Sequence, residues 1–248
     1  MRIKLVIEYD GTNYAGWQRQ LNGLSVQELL ERAFEAASGE SVRIHGAGRT
    51  DAGVHAMAQV AHLDTMCSIP PEKICYALNM HLPSDIRVKS SERADERFHA
   101  RFDAKGKHYR YTIDNAAHAS AVYRHTTAHV RGSLDVAAMR EAAECIVGTH
   151  DFAAFCASGS EVKYTVRTVY SLNITQENSF IHIDIKGSGF LYHMVRIIAG
   201  TLIEIGQKKR TPVSMRGIIE SKNREGAGVT APAKGLMLIS VYYEPPRP

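Results

Sequence analysis

Short connections decide the class of this chain. Ile181, Ile183 and Ile185 alternate with His182 and Asp184, and Ile3, Leu5, Ile7 and Tyr9 alternate with Lys4, Val6 and Glu8. Each pattern has period two, so each reads as a strand with one buried face. Helical stretches interleave with such strands, but many connections have only hairpin length. Parallel neighbours need a crossover of roughly a dozen residues, so these strands are expected to pair antiparallel. The prediction is α+β, not a parallel doubly wound sheet. With 248 residues, 44% hydrophobic and 23% charged, the chain can bury one large core or two ordinary ones, and disorder or a collagen-like repeat is excluded.

Ser25-Val-Gln-Glu28 reads as a capping box. Val26, Leu29, Leu30, Ala33, Phe34 and Ala37 follow at helical spacing, and Gly39 ends the run. Strands are expected at Val42–Ile44, Gln59–Leu63 and Ile86–Val88, with a short helix over Pro70–Leu78. The second half loosely repeats the theme. It has strands at His108–Ile113, Thr168–Ile174 and Leu236–Tyr242, and a helix capped by Asp135 that runs to Val147 before Gly148. A long helix spans about 190–205, and Thr211-Pro212 caps another. Two related halves, 1–105 and 106–248, meet near Lys105-Gly106.

Cys67, Cys75, Cys145 and Cys156 form no C-x-x-C pair, so a zinc knuckle or disulfide framework is not indicated. They read as reduced thiols, mostly core filler. The apolar stretch Met194–Ile205 is interrupted by Arg196 and Glu204 and is too short to cross a bilayer. The opening MRIKLVIEYD reaches Glu8 and Asp10 too early for a signal-peptide apolar region, so a cytoplasmic protein is expected. The net charge of +4 divides unevenly: 13 Lys/Arg against 14 Asp/Glu in 1–105 give −1, and 17 against 12 in 106–248 give +5. That asymmetry suits a polyanion, although a basic surface spread over a fold has no necessary partner.

The densest chemistry lies in His45-Gly-Ala-Gly-Arg49-Thr-Asp51-Ala-Gly53-Val-His55. Three glycines within eight residues permit positive φ and close backbone approach around a single acid. A tight solvated turn is the plain alternative. A P-loop would need a Lys-Ser/Thr that Gly48-Arg-Thr-Asp lacks, and a dinucleotide fingerprint fails where Asp51 replaces the third glycine. G-x-S-x-G and H-E-x-x-H are both absent, and the twelve histidines lack carboxylates at metal-ligand spacing. No second acid lies nearby in sequence to make a glycosidase pair. A lone aspartate kept ionised by an arginine suits nucleophilic or base chemistry.

The stretch Tyr9-Asp-Gly-Thr-Asn-Tyr-Ala-Gly-Trp17-Gln-Arg-Gln20, followed by Gly48-Arg-Thr-Asp-Ala-Gly-Val-His55, resembles the bacterial tRNA pseudouridine synthase A family. Phe98-His-Ala-Arg101, His108-Tyr-Arg-Tyr111, Gly189-Phe-Leu-Tyr-His-Met-Val-Arg196 and Gly235-Leu-Met-Leu238 extend the resemblance over essentially the whole chain. It implies an α+β fold of two similar halves, whose antiparallel or mixed sheets join into one extended sheet flanked by helices, with the active cleft between the halves. It also implies a homodimeric, cytoplasmic isomerase that converts uridine to pseudouridine at positions 38, 39 and 40 of the tRNA anticodon arm. No cofactor, no metal and no membrane are implied.

By motif match, Asp51 is the essential carboxylate, Arg196 its partner and Tyr109 the aromatic that packs on the target base. Arg49 contacts the RNA and helps hold the uridine out of its stack. Arg19, Arg101, Lys107 and Arg110 are candidate phosphate contacts, each also readable as a solvated cation. Trp17 reads as packing support for the loop. From the residues alone, an arginine such as Arg196 on a long apolar helix is more often a snorkelling or interface residue, a weighting that the resemblance reverses. Tyr109 and Tyr111 are alternating strand residues, one inside and one outside. Two other functions stay open: a tRNA-binding chaperone without chemistry, and a hydrolase pairing Asp51 with His55.

Overall fold

The computed structural model describes residues 1–159 and 162–244, which divide into two compact units. The first begins with β1 (Arg2–Tyr9), α1 (Val26–Ser38), β2 (His45–Gly46), β3 (His55–Asp64), α2 (Ile74–Asn79) and β4 (Ile86–Arg93). The second contains β5 (Gly106–Asp114), β6 (Ala128–His129), α3 (Val136–Glu144), β7 (Gly148–Asp151), β8 (Val166–Glu177), β9 (Phe180–Gly187), α4 (Met194–Gly206) and α5 (Ser214–Ser221). The last strand, β10 (Leu236–Tyr242), belongs to the first unit from Leu238 onward. The α+β class is borne out.

In the first unit the strand order is β4-β1-β3-β10, with β2 on β3. β1 runs antiparallel to both neighbours and sets Ile3 opposite Leu63 and Leu5 opposite Ala61. Ile3, Leu5 and Ile7 are fully buried, as their alternation requires. Helix α1 buries Leu30, Ala33 and Phe34, and α2 packs against α1 and β4 through Ile74 and Leu78. A smaller cluster of Ala47, Val60 and Ala100 carries Val6, Phe98, Val241 and Tyr243. Tyr243 places its ring 5.1 Å from that of Phe98 and donates its hydroxyl to Ala100 O.

The second unit orders its strands β5-β9-β8-β7. All three of those pairings are antiparallel, and β6 lies parallel on β5. Helices α3 and α4 pack together, α3 also against β8 and α4 against β5. No helix among the described residues is long and apolar enough to cross a membrane.

Several local expectations shift. Val42–Ile44 is not a strand; the pairing falls on His45–Gly46 instead. Ser25 does accept the Glu28 N–H, but the Glu28 carboxylate pairs with Arg32 at 2.6 Å, so the cap is one-sided. Helix α3 stops at Glu144 because the N–H groups of Cys145 and Ile146 bond three residues back and tighten the last turn. Helix α4 starts at Met194, since His193 sits at φ 59° and cannot be helical. Thr211 and Pro212 lie in a turn whose carbonyls receive the N–H groups of Ser214 and Met215, ahead of a helix without a side-chain cap. Of the four cysteines only Cys75 is buried, so core filling describes one of them.

Candidate active site

Asp51 opens a tight turn, with Val54 N–H donating to Asp51 O at 3.1 Å and Gly53 at φ 76°. Gly53 alone of the three loop glycines has positive φ. Gly46 serves close approach instead, since a Cβ there would lie 2.5 Å from the Trp17 ring. Trp17 is buried beneath the loop, as its reading as packing support predicted.

The turn is gripped on both flanks by residues 9–17. Before Asp51, Trp17 N–H donates to Thr50 O, and the Tyr9 hydroxyl meets Thr50 Oγ1 at 2.7 Å in a buried contact. Burial pushes the Tyr9 phenol well above its ordinary value, although the Thr50 contact opposes it, so Tyr9 stays neutral. Gly16, at φ 94°, lies so close that a Cβ would sit 2.4 Å from Thr50 O. After Asp51, Gly53 N–H donates to Tyr14 O, and a Cβ on Gly11 would sit 2.0 Å from Val54 O. Gln59 holds the loop from its own strand by donating to Gly48 O at 2.9 Å. Asp51 is half-buried, while Arg49 points into solvent. A carboxylate on such a doubly gripped turn is preorganised, which nucleophilic and base chemistry both reward.

This grip is what motif reading missed. Tyr9–Trp17 carried the family resemblance but received no role beyond Trp17. The available signal was Gly11 and Gly16 at positions where only glycine fits.

Among the other first-unit candidates, Arg19 is committed to α1: its guanidinium lies 3.4 Å from the Glu31 carboxylate and its N–H donates to Gln27. Arg101 is exposed, 5.8 Å from the ring centre of Phe102.

In the second unit, Tyr109 and Tyr111 stand opposite Ile185 and Ile183, and both are buried. Residues two apart on a strand share a face, so the reading of one inside and one outside is corrected. Phe190 packs edge-on to Tyr109 with ring centres 5.4 Å apart. Tyr111 instead donates to Pro232 O and is covered by Gly235. Burial pushes the Tyr111 phenol up, partly opposed by the positive Arg196. Arg196 is half-buried, its Nε donating to Ala231 O at 2.8 Å while its carbonyl accepts the Ala231 N–H. That clamp fixes the arm of the guanidinium.

Arg110 is engaged through a fork. Its Nε and a terminal nitrogen reach both Asp184 oxygens at 2.9 and 3.0 Å, and His108 Nε2 lies 2.7 Å from the same carboxylate. Burial raises the Asp184 pKa, but the bonds from His108 and Arg110 outweigh it and hold the carboxyl below its usual value. These residues line a concavity of about 580 Å³ with Arg140 and Lys186. Lys107, the neighbouring candidate, is half-buried opposite Gly187. No group of three or more His, Cys, Asp or Glu among the described residues could hold a metal ion.

Comparison with known proteins now adds to this geometry. A family profile described as tRNA pseudouridine synthase matches residues 5–103 and 142–244. The tRNA pseudouridine synthase A of Acetivibrio thermocellus is 51% identical over 241 residues, covering 97% of this chain and 99% of its own. That of Ruminiclostridium cellulolyticum is 51% identical over 243 residues (98% and 99%), and that of Geotalea uraniireducens 48% over 242 (98% and 99%).

Proposed function

The chain belongs to the tRNA pseudouridine synthase family, and from that premise we propose that Asp51 is the essential carboxylate with which it isomerises uridine in tRNA. The reaction breaks the N1–C1′ bond, turns the uracil, and joins C5 to C1′. N1 ends with a hydrogen and C5 gives one up as a proton, so no atoms or electrons are gained or lost overall. What the chain must supply is a carboxylate, a surface for the turned base and cationic support. Asp51, Tyr109 and Arg196 take those roles, and Arg49 holds the RNA with the nucleotide extruded. The targets are positions 38, 39 and 40 of the anticodon arm. The enzyme works in the cytoplasm as a homodimer, with one tRNA bridging both protomers.

The observation that carries this reading is the hydrogen-bonded, glycine-packed Asp51 turn in a chain 51% identical, over 97–98% of its length, to tRNA pseudouridine synthases A. Tyr109 supports it as a ring fixed edge-on by Phe190, and base stacking on such a ring contributes roughly 1–3 kcal/mol toward the cost of flipping. The hydrolase alternative loses ground because His55 is buried with its Nδ1 taken by a backbone N–H.

Release of tritium from tRNA labelled at uridine C5 tests the assignment. The wild type is expected to liberate the label, and Asp51→Asn to bind tRNA normally, since phosphate contacts dominate affinity, but to release none. Wild-type release by Asp51→Asn would remove Asp51 from the role.

A further inference from the structure

We propose that His55 is a positioning residue for the Asp51 turn, acting through its Nδ1 as the acceptor for the backbone of Gly11. The inference rests on the reading of Asp51 as the essential carboxylate. Gly11 N–H donates to His55 Nδ1 at 3.0 Å, and both residues are buried. Gly11 is the residue whose α-carbon lies against the Val54 carbonyl, and its own carbonyl accepts the Tyr14 N–H. Tyr14 O in turn takes the Gly53 N–H, and Val54 N–H closes on Asp51 O. The path from His55 to the Asp51 backbone is therefore a continuous run of hydrogen bonds and backbone contacts.

The imidazole is an expensive choice for this place. Its Nε2 is buried and has no hydrogen-bond partner among the described residues. With Nδ1 accepting, Nε2 carries the proton, so a buried donor goes unmet. An apolar side chain would fill the same space without that penalty. What it would lose is the acceptor for Gly11.

Asp10 Oδ1 also lies 3.0 Å from Nδ1, a contact that becomes a hydrogen bond only with a proton on Nδ1, and that proton would deprive the Gly11 N–H of its acceptor. Asp10 is 44% exposed and already accepts from the Thr12 N–H, whereas the Gly11 N–H is buried. An Nδ1 left as acceptor serves the group that water cannot reach.

The experiment compares His55→Asn, His55→Gln and His55→Leu with wild type and Asp51→Asn. The readouts are tritium release at saturating tRNA, KM, and tRNA binding, all with folding checked by circular dichroism. Asn places its amide oxygen where Nδ1 stood, whereas Gln reaches the Nε2 position and leaves Gly11 unserved. Expected are a kcat for His55→Asn within about threefold of wild type, and losses of about 100-fold for Gln and Leu with KM and binding nearly unchanged. Should the Leu variant fail to fold, the contrast between Asn and Gln carries the test. Equal kcat in His55→Asn and His55→Gln, with Asp51→Asn inactive, would overturn this inference and leave Asp51 in its role. An active Asp51→Asn would instead overturn the reading beneath it, whatever the His55 variants do.

Discussion

His62 shows how a single side chain can tie folding to pH. It lies on β3 with its ring stacked on His45 and edge-on to His99, and its Nδ1 accepts the Ala100 N–H. Burial, with smaller contributions from the positive charges of His99, Arg2 and His45, pushes its pKa down to about 4 from 6.5. Between those values the unfolded chain binds the proton and the folded chain does not, so stability rises with pH across the window. It is fully present above about pH 6.5 and lost as pH falls toward 4. His62→Asn keeps an acceptor for Ala100 but does not titrate. Its thermal midpoint is expected to change less than the wild-type midpoint between those two pH values. Parallel decline of both proteins would refute the assignment. Of this cluster only residue type was legible in advance: the sequence shows twelve histidines, but not that three would pack ring against ring. Tyr109 and Tyr111 were legible as strand residues, and strand geometry alone should have put both on one face.

Helix α4 is held by backbone contacts, not by side chains alone. A Cβ on Gly200 would meet Val229 O at 1.8 Å, and one on Gly228 would lie 2.7 Å from the α-carbon of Thr201, whose hydroxyl accepts the Gly228 N–H. The same segment continues to Ala231, which clamps Arg196 on the preceding turn of the helix. Gly200→Ala is therefore expected to cost about 3 kcal/mol in urea unfolding, because the segment must move away. It should also lower the rate of tritium release by displacing Arg196; a variant as stable and active as wild type would mean that segment 228–231 yields freely. Elements whose signals are local, such as β1 and α1, could be read from the chain. Val42–Ile44 could not, because the backbone of Ile44 is satisfied by side chains from α1. Gln27 donates to Ile44 O and Glu31 accepts the Ile44 N–H, so no strand partner is needed there. In the candidate site, the motif announced Asp51, but the grip of Tyr9–Trp17 is made by contacts some forty residues apart in sequence, which no local pattern records.

For the molecule as a whole, charge is modest and its placement matters more than its sum. The balance is −1 over residues 1–105 and +5 over 106–248. Binding to tRNA is expected to weaken steeply between about 50 and 200 mM salt, with a logarithmic slope of roughly 0.7–0.9 per phosphate contacted. Arg49, which the structure leaves exposed on the loop, should contribute one such contact. Arg49→Gln would then flatten the slope by about one contact, whereas Arg19→Gln, tied to Glu31, would change it less. Identical slopes for all three proteins would take Arg49 off the phosphates.

The order of strands in the first unit, β4-β1-β3-β10, also bears on how the protein is made. β3 takes β10 (Leu236–Tyr242) as a neighbour, and Tyr243 covers Phe98. A ribosome that has delivered the aspartate loop must translate nearly two hundred further codons before the sheet beneath that loop can be completed. Until Leu236–Tyr242 has emerged, the nascent N-terminal segment therefore keeps the β10 side of β3 open.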